Sequence, residues 1–172
     1  KNNSNYYSAN KRKGFDIVKS AKNVSKNMIY NSILTKVKII EKDPKETDVR
    51  KHLNYGHTLG HAIESYLLDT NREILHGEAI SIGLILETYL SFLKRKFNLE
   101  QVKIIKVFIE RFYKKINFSP QDIDKIIELL KFDKKNINDN PMFVLLNRIG
   151  EPIINQRVSN MDIKEAFKFY MN

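Results

Sequence analysis

All four histidines of this 172-residue chain fall between His52 and His76. His57 and His61 stand four residues apart, so on a helix their rings project from one face and can converge on a single ion or ligand. Two histidines at that spacing are, on their own, commonly half-buried polar residues. The neighbours add weight: His57 follows Asn54-Tyr55-Gly56, His61 follows Gly60, and His76 precedes Gly77-Glu78. A glycine in a helix interior costs about 1 kcal/mol, so Gly56 and Gly60 predict a compensating close approach. With no cysteine in the chain, a transition ion must be held by His, Asp or Glu, as imidazoles plus a carboxylate hold catalytic Zn²⁺ with one position open. His76 has to reach the other two across the connection 67–75.

The elements that would position these residues are mostly helical. Residues 1–13 are polar and basic without hydrophobic period and read as a tail or linker; residues 14–172 read as one helical domain. From about Phe15 the pattern turns helical, with Met28, Ile29, Ile33, Leu34, Val37 and Ile40 making an apolar face until Asp43-Pro44 stops it. A second helix is predicted from near Val49 past Glu64, and a third from His76 to about Lys96. The third is apolar over more than one face, which predicts a central, buried helix. A fourth covers Leu99 to Lys115. Ser119-Pro120-Gln121-Asp122 and Ser159-Asn160-Met161-Asp162 each read as a capping box opening a helix. Between those two helices, Met142–Leu146 and Pro152–Val158 flank Arg148-Ile149-Gly150-Glu151 as a short β-hairpin. The fold class expected is mainly α, a multi-helix domain with one small β-hairpin.

Composition narrows the function classes. The chain carries 30 basic and 20 acidic residues, a formal charge of +10. Its lysines are spread among glutamates and aspartates along nearly every expected helix, which favours solvated faces over a nucleic-acid groove. No run approaches the roughly 20 apolar residues that cross a bilayer. The start, Lys1-Asn2-Asn3-Ser4, shows no secretory signal, and the reading is a cytoplasmic protein without nucleic-acid or membrane partners. A chain opening on Lys1 is also expected to be a fragment.

The string Arg50-Lys51-His52-Leu53-Asn54-Tyr55-Gly56-His57-Thr58-Leu59-Gly60-His61-Ala62-Ile63-Glu64, followed by Leu75-His76-Gly77-Glu78-Ala79, closely resembles the signature of the 3-dehydroquinate synthases. Lys36, fourteen residues before Arg50, stands where that family has a substrate-binding lysine. Asp43-Pro44-Lys45-Glu46 occupies the place of its acidic stretch, and Asp133-Lys134-Lys135 with Phe143–Leu146 and Ile149-Gly150 resembles its late lysine motif and hairpin. About residues 30–170 match. The resemblance implies the C-terminal half of an NAD- and zinc-dependent (or cobalt-dependent) lyase of the shikimate pathway, acting on a phosphorylated sugar acid and forming a homodimer. His57 and His76 would be metal ligands and His61 the histidine that assists proton transfer. Lys36, Arg50 and Asn54 would hold substrate, with Lys134 or Lys135 reaching the same pocket.

Two departures qualify what the resemblance implies. No Gly-rich strand-turn-helix unit is present, so the NAD-binding half is expected to be missing from this chain. The family's third metal ligand, a glutamate, belongs to an upstream segment that 1–26 does not reproduce, and Glu41, Glu46, Glu64 and Glu78 match other positions. The chain alone is therefore expected to be inactive and to bind zinc weakly or only with a stray ligand. Alternatives are another sugar-phosphate cyclase, such as a 2-deoxy-scyllo-inosose synthase, or a non-catalytic helical interaction domain.

Overall fold

The computed structural model describes residues 26–130 and 141–172. Their order is α1 (Lys26–Lys42), a 3₁₀ helix (Val49–Asn54), α2 (His57–Asp69), α3 (His76–Arg95), α4 (Leu99–Glu110), α5 (Pro120–Leu129), β1 (Phe143–Arg148), β2 (Glu151–Gln156) and α6 (Asn160–Met171). The expected tail and the first part of the helix expected from Phe15 lie outside the described residues. So do Lys134 and Lys135.

Helix α3 is the axle. It packs against α2, α4, α6 and β1, and its buried positions, among them Ala79, Ile82, Ile85, Leu86, Leu90 and Ser91, run round more than one face. Around it lies one core that joins Leu59, Ile63 and Leu67 of α2 to Ile123 and Ile126 of α5, Phe143 and Leu145 of β1, and Phe167 and Tyr170 of α6. Both capping boxes are present. The Ser119 hydroxyl accepts the Asp122 N–H, and the Ser159 hydroxyl accepts that of Asp162. The hairpin pairs Leu145 with Ile153 and Arg148 with Glu151; β1 runs two residues further towards the turn than expected and β2 starts one residue earlier, and Gly150 in the turn takes φ 84°. Leu146 N–H donates to the Ser91 hydroxyl (2.9 Å), fastening β1 to α3.

Two expectations are corrected. The helix expected from Val49 past Glu64 is two pieces: Tyr55 is extended (ψ 126°) and Gly56 left-handed (φ 81°), so α2 starts afresh at His57. The reason is that the first piece is gathered by the Asp43 carboxylate, which accepts the N–H groups of Thr47, Asp48 and Arg50, while α2 is gathered by another acid, Glu87. The fourth helix ends at Glu110 instead of Lys115. Its last turn tightens, with Phe112 N–H bonding Ile109 O, and the chain is drawn onto α6, where Ile116 N–H donates to the Tyr170 hydroxyl at 3.0 Å and Lys115 Nζ to Met171 O. The apolar face of α1 does exist, but it faces outward. Ile29, Ile33 and Val37 are 52%, 55% and 42% exposed, and only Ile39 is buried.

Candidate metal and substrate site

The crossing of α2 and α3 brings three histidines together. It is a contact of main chain with main chain: a Cβ added at Gly83 would lie 2.0 Å from Gly56 O and 2.8 Å from Gly60 N. At Gly60 a Cβ would meet Ile80 at 2.7 Å. The expected close approach is thus present, and it lays the first turn of α3 against residues 60–64 of α2. Ring centroids are 5.4 Å apart for His57 and His61, 6.1 Å for His57 and His76, and 5.6 Å for His61 and His76. One ring nitrogen from each falls within 4.8 Å of the others.

Two of the rings have their other nitrogen engaged. His57 Nδ1 lies 3.1 Å from Tyr55 O, a carbonyl that can only accept, so Nδ1 carries the proton and the lone pair is on Nε2. His76 Nδ1 lies 2.9 Å from the Glu64 carboxylate, one turn along α2 from His61. A histidine whose Nδ1–H is anchored on a carbonyl or carboxylate is oriented as a metal ligand requires. The donor set therefore fits a divalent ion of the zinc type. His76 and Glu64 are partly open to solvent, with side chains 57% and 34% exposed.

Beside the rings is a cavity of about 270 Å³. Glu46, Lys51, Asn54, Thr58 and the rings of His57 and His61 form one side, and the hairpin forms the other through Phe143, Val144, Ile154 and Asn155. Thr58 Oγ1–H donates to Met142 O (3.2 Å), closing α2 onto the hairpin. Asn54 Nδ2 donates to Glu46 Oε1 at 2.5 Å, which turns its carboxamide along the cavity wall. The loop that delivers Arg50 and Asn54 hangs on Asp43. Three backbone N–H groups and the Thr47 hydroxyl lower its carboxyl to about 2. Beneath the floor, Glu87 is fully buried. Burial pushes its carboxyl up to about 8, against the pull of N–H groups from Gly56, Leu59 and Thr58.

Residues 2–136 match the family model described as 3-dehydroquinate synthase C-terminal. This chain belongs to that family. It is 38% identical over 156 residues to a 3-dehydroquinate synthase of Parabacteroides distasonis, covering 91% of this chain and 44% of the relative. It is likewise 38% identical over 141 residues to one of Dictyoglomus turgidum, covering 82% and 39%. The chain thus spans less than half the length of these curated relatives. Among solved structures it resembles a 2-deoxy-scyllo-inosose synthase complexed with carbaglucose-6-phosphate, NAD⁺ and Co²⁺, with TM-score 0.66, 26% identity, and coverage of 83% of this chain and 40% of that one. A 2-epi-5-epi-valiolone synthase from Streptomyces hygroscopicus subsp. jinggangensis 5008, with NAD⁺ and Zn²⁺ bound, has TM-score 0.69 at 18% identity over 84% of this chain and 39% of its own. That likeness is one of fold. The helical, single-hairpin architecture is that of the dehydroquinate synthase-like cyclases.

Of the residues that the family signature singles out, His57, His61 and Asn54 line the cavity and His76 stands at its edge. Arg50 is turned aside: its guanidinium donates to Pro44 O at 2.7 Å and lies 3.8 Å from Glu46. Lys36 is exposed on α1 and is not among the lining residues. Among the acids weighed earlier, Glu78 caps α3 through Leu75 N–H (2.9 Å) and Glu64 holds His76. Sequence reading passed over Lys51, Thr58 and Asn155, which carry no local signal. It also passed over Glu87, which does carry one as a lone acid inside the apolar run 79–90.

Proposed function

We propose that this chain is the metal- and substrate-binding half of a 3-dehydroquinate synthase, a cytoplasmic lyase of the shikimate pathway that converts 3-deoxy-D-arabino-heptulosonate 7-phosphate to 3-dehydroquinate with loss of phosphate. The observation that carries the reading is the convergence of His57, His61 and His76 beside a polar cavity, in a chain of that family. His57 and His76 hold the metal, each oriented by its own Nδ1 partner. His61 moves a proton at its ring nitrogen between substrate and solvent. A bound Zn²⁺ or Co²⁺ would supply Lewis-acid polarisation of a substrate oxygen. NAD would be held by the part of such an enzyme that this chain does not span.

Substrate anchoring falls to groups around the cavity. Asn54 presents its carboxamide to hydroxyl groups. Arg50 suits a bidentate anion contact and exchanges Pro44 O and Glu46 for that anion when substrate enters. Lys36 and one of Lys134 and Lys135 complete the clamp, and fixed orientation then replaces diffusional search.

Co²⁺ titration followed by visible absorption tests the reading. Near one equivalent should bind, and His57→Ala should abolish it; absence of stoichiometric uptake by the native chain counts against the site. The chain by itself should release no phosphate from the sugar acid, and steady-state release would contradict the division of labour. The structural likeness to 2-deoxy-scyllo-inosose synthase favours a second substrate, a hexose phosphate. Assaying both substrates with the remaining part of the enzyme supplied separates the two.

A further inference from the structure

Helix α2 begins at a residue that cannot cap it. An N-terminal cap is normally a Ser, Thr, Asp or Asn whose side chain accepts the first free N–H groups, as Ser119 and Ser159 do for α5 and α6. The corresponding residue of α2 is Gly56, which has no side chain, takes φ 81° and is packed so closely that a Cβ would sit 2.7 Å from the Leu84 side chain. The missing acceptor comes from the neighbouring helix. Glu87 Oε2 accepts Gly56 N–H at 2.7 Å and Oε1 accepts Leu59 N–H at 3.1 Å. Next to it, the Thr88 hydroxyl hydrogen-bonds the Tyr55 hydroxyl, so α3 grips the chain on both sides of the Gly56 turn.

We propose that Glu87 is a positioning residue for the histidine site: its buried carboxyl group is the N-terminal cap of α2 and fixes the turn that presents His57. The placement gives α3 two functions. His76 is its first residue, and Glu87 lies eleven residues on, roughly 16 Å along the axis. One rigid rod thereby carries one histidine directly and fixes the helix start bearing the other two. Glu87 is not among the residues that line the cavity. Its effect on the site passes through Gly56 and Leu59, which bracket His57. The proposal rests on the metal reading above for its consequence, but not for its geometry.

The test uses Glu87→Gln, which keeps one acceptor oxygen and sets an amide N–H₂ against a backbone N–H. Folding is checked by circular dichroism, and Co²⁺ is the probe. The expected result is a folded variant with Co²⁺ affinity lowered by about tenfold or more, in the range seen for groups that orient metal ligands, and an altered visible spectrum. A variant with a lower melting temperature but native Co²⁺ affinity and spectrum would overturn the proposal, because Glu87 would then only stabilise the fold. Metal-free protein gives an independent readout. The Gly56 and Leu59 amides should exchange with solvent as slowly as the α3 core in the native chain, and the His57 ring signals should move in Glu87→Gln. Fast exchange at both amides overturns the cap even if the variant does not fold. Failure of the native chain to take up Co²⁺ with these amides protected instead overturns the metal reading and leaves the cap standing.

Discussion

The α2–α3 crossing and the α1 arm both supply residues to the proposed site, and they are built in opposite ways. The crossing is held by backbone contact at Gly56, Gly60 and Gly83 and by fully buried Leu59, Ile63, Ile85 and Leu86. The arm packs chiefly on the short 3₁₀ helix, leaves Ile29, Ile33 and Val37 exposed, and connects to the core through a loop organised by one carboxylate. The histidines proposed to hold an ion sit where movement is most costly. Lys36 and Arg50, proposed above to hold a charged substrate, sit where adjustment is easy. Arg50 already donates to Pro44 O, the acceptor that the proposed substrate would replace.

The contrast can be broken at several points. Gly83→Ala drives a Cβ into Gly56 O, a main-chain atom that cannot step aside, and should lower stability by about 3 kcal/mol, measured by urea unfolding. Gly60→Ala meets the mobile Cδ1 of Ile80 at 2.7 Å, with main-chain atoms only at 3.1 Å and beyond, and regains about 1 kcal/mol of helix propensity. Its net loss should stay near 1 kcal/mol, and a loss equal to that of Gly83→Ala would show the crossing to be less selective than described. Acid should separate the two regions as well. Asp43 has its folded value lowered from 3.8 to about 2, so its contribution is complete above about 4 and is lost as pH falls through 2. The Thr47, Asp48 and Arg50 amide signals should titrate near pH 2; a midpoint near 4 would contradict the carboxylate hub. Ile33→Ser on the exposed face of α1 should change stability by no more than about 0.5 kcal/mol, checked by thermal melting.

What could be read from the sequence follows the range of each signal. Ser119 with Asp122, and Ser159 with Asp162, are complete within four residues, and both helices start where those residues place them. The breadth of apolar residues along α3 foretold its central position, since a helix buried on several sides needs nothing else to declare it. That His57 and His61 share one helix face was legible from their spacing. The break at Tyr55-Gly56 was not, because the acceptor that lets α2 begin there is 31 residues away in Glu87. The early end of α4 was hidden for the same reason, being decided by the Tyr170 hydroxyl on the last helix. Periodicity in α1 revealed a stripe, but a stripe does not say which way it faces. The pairing of Glu64 with His76 joined two residues whose separation in sequence hides their contact.

The glycine contact between α2 and α3 has a consequence for how such a site can diversify. Distances between helices are ordinarily tuned by swapping side chains of different bulk, so they drift as cores are repacked. Where peptide meets peptide there is no bulk to swap, and the interval between the histidines is a fixed gauge. Lys36, Arg50, Asn54 and the hairpin wall lie off that gauge and can be exchanged without resetting it. A scaffold of this kind can change the molecule it accepts while keeping the chemistry it offers.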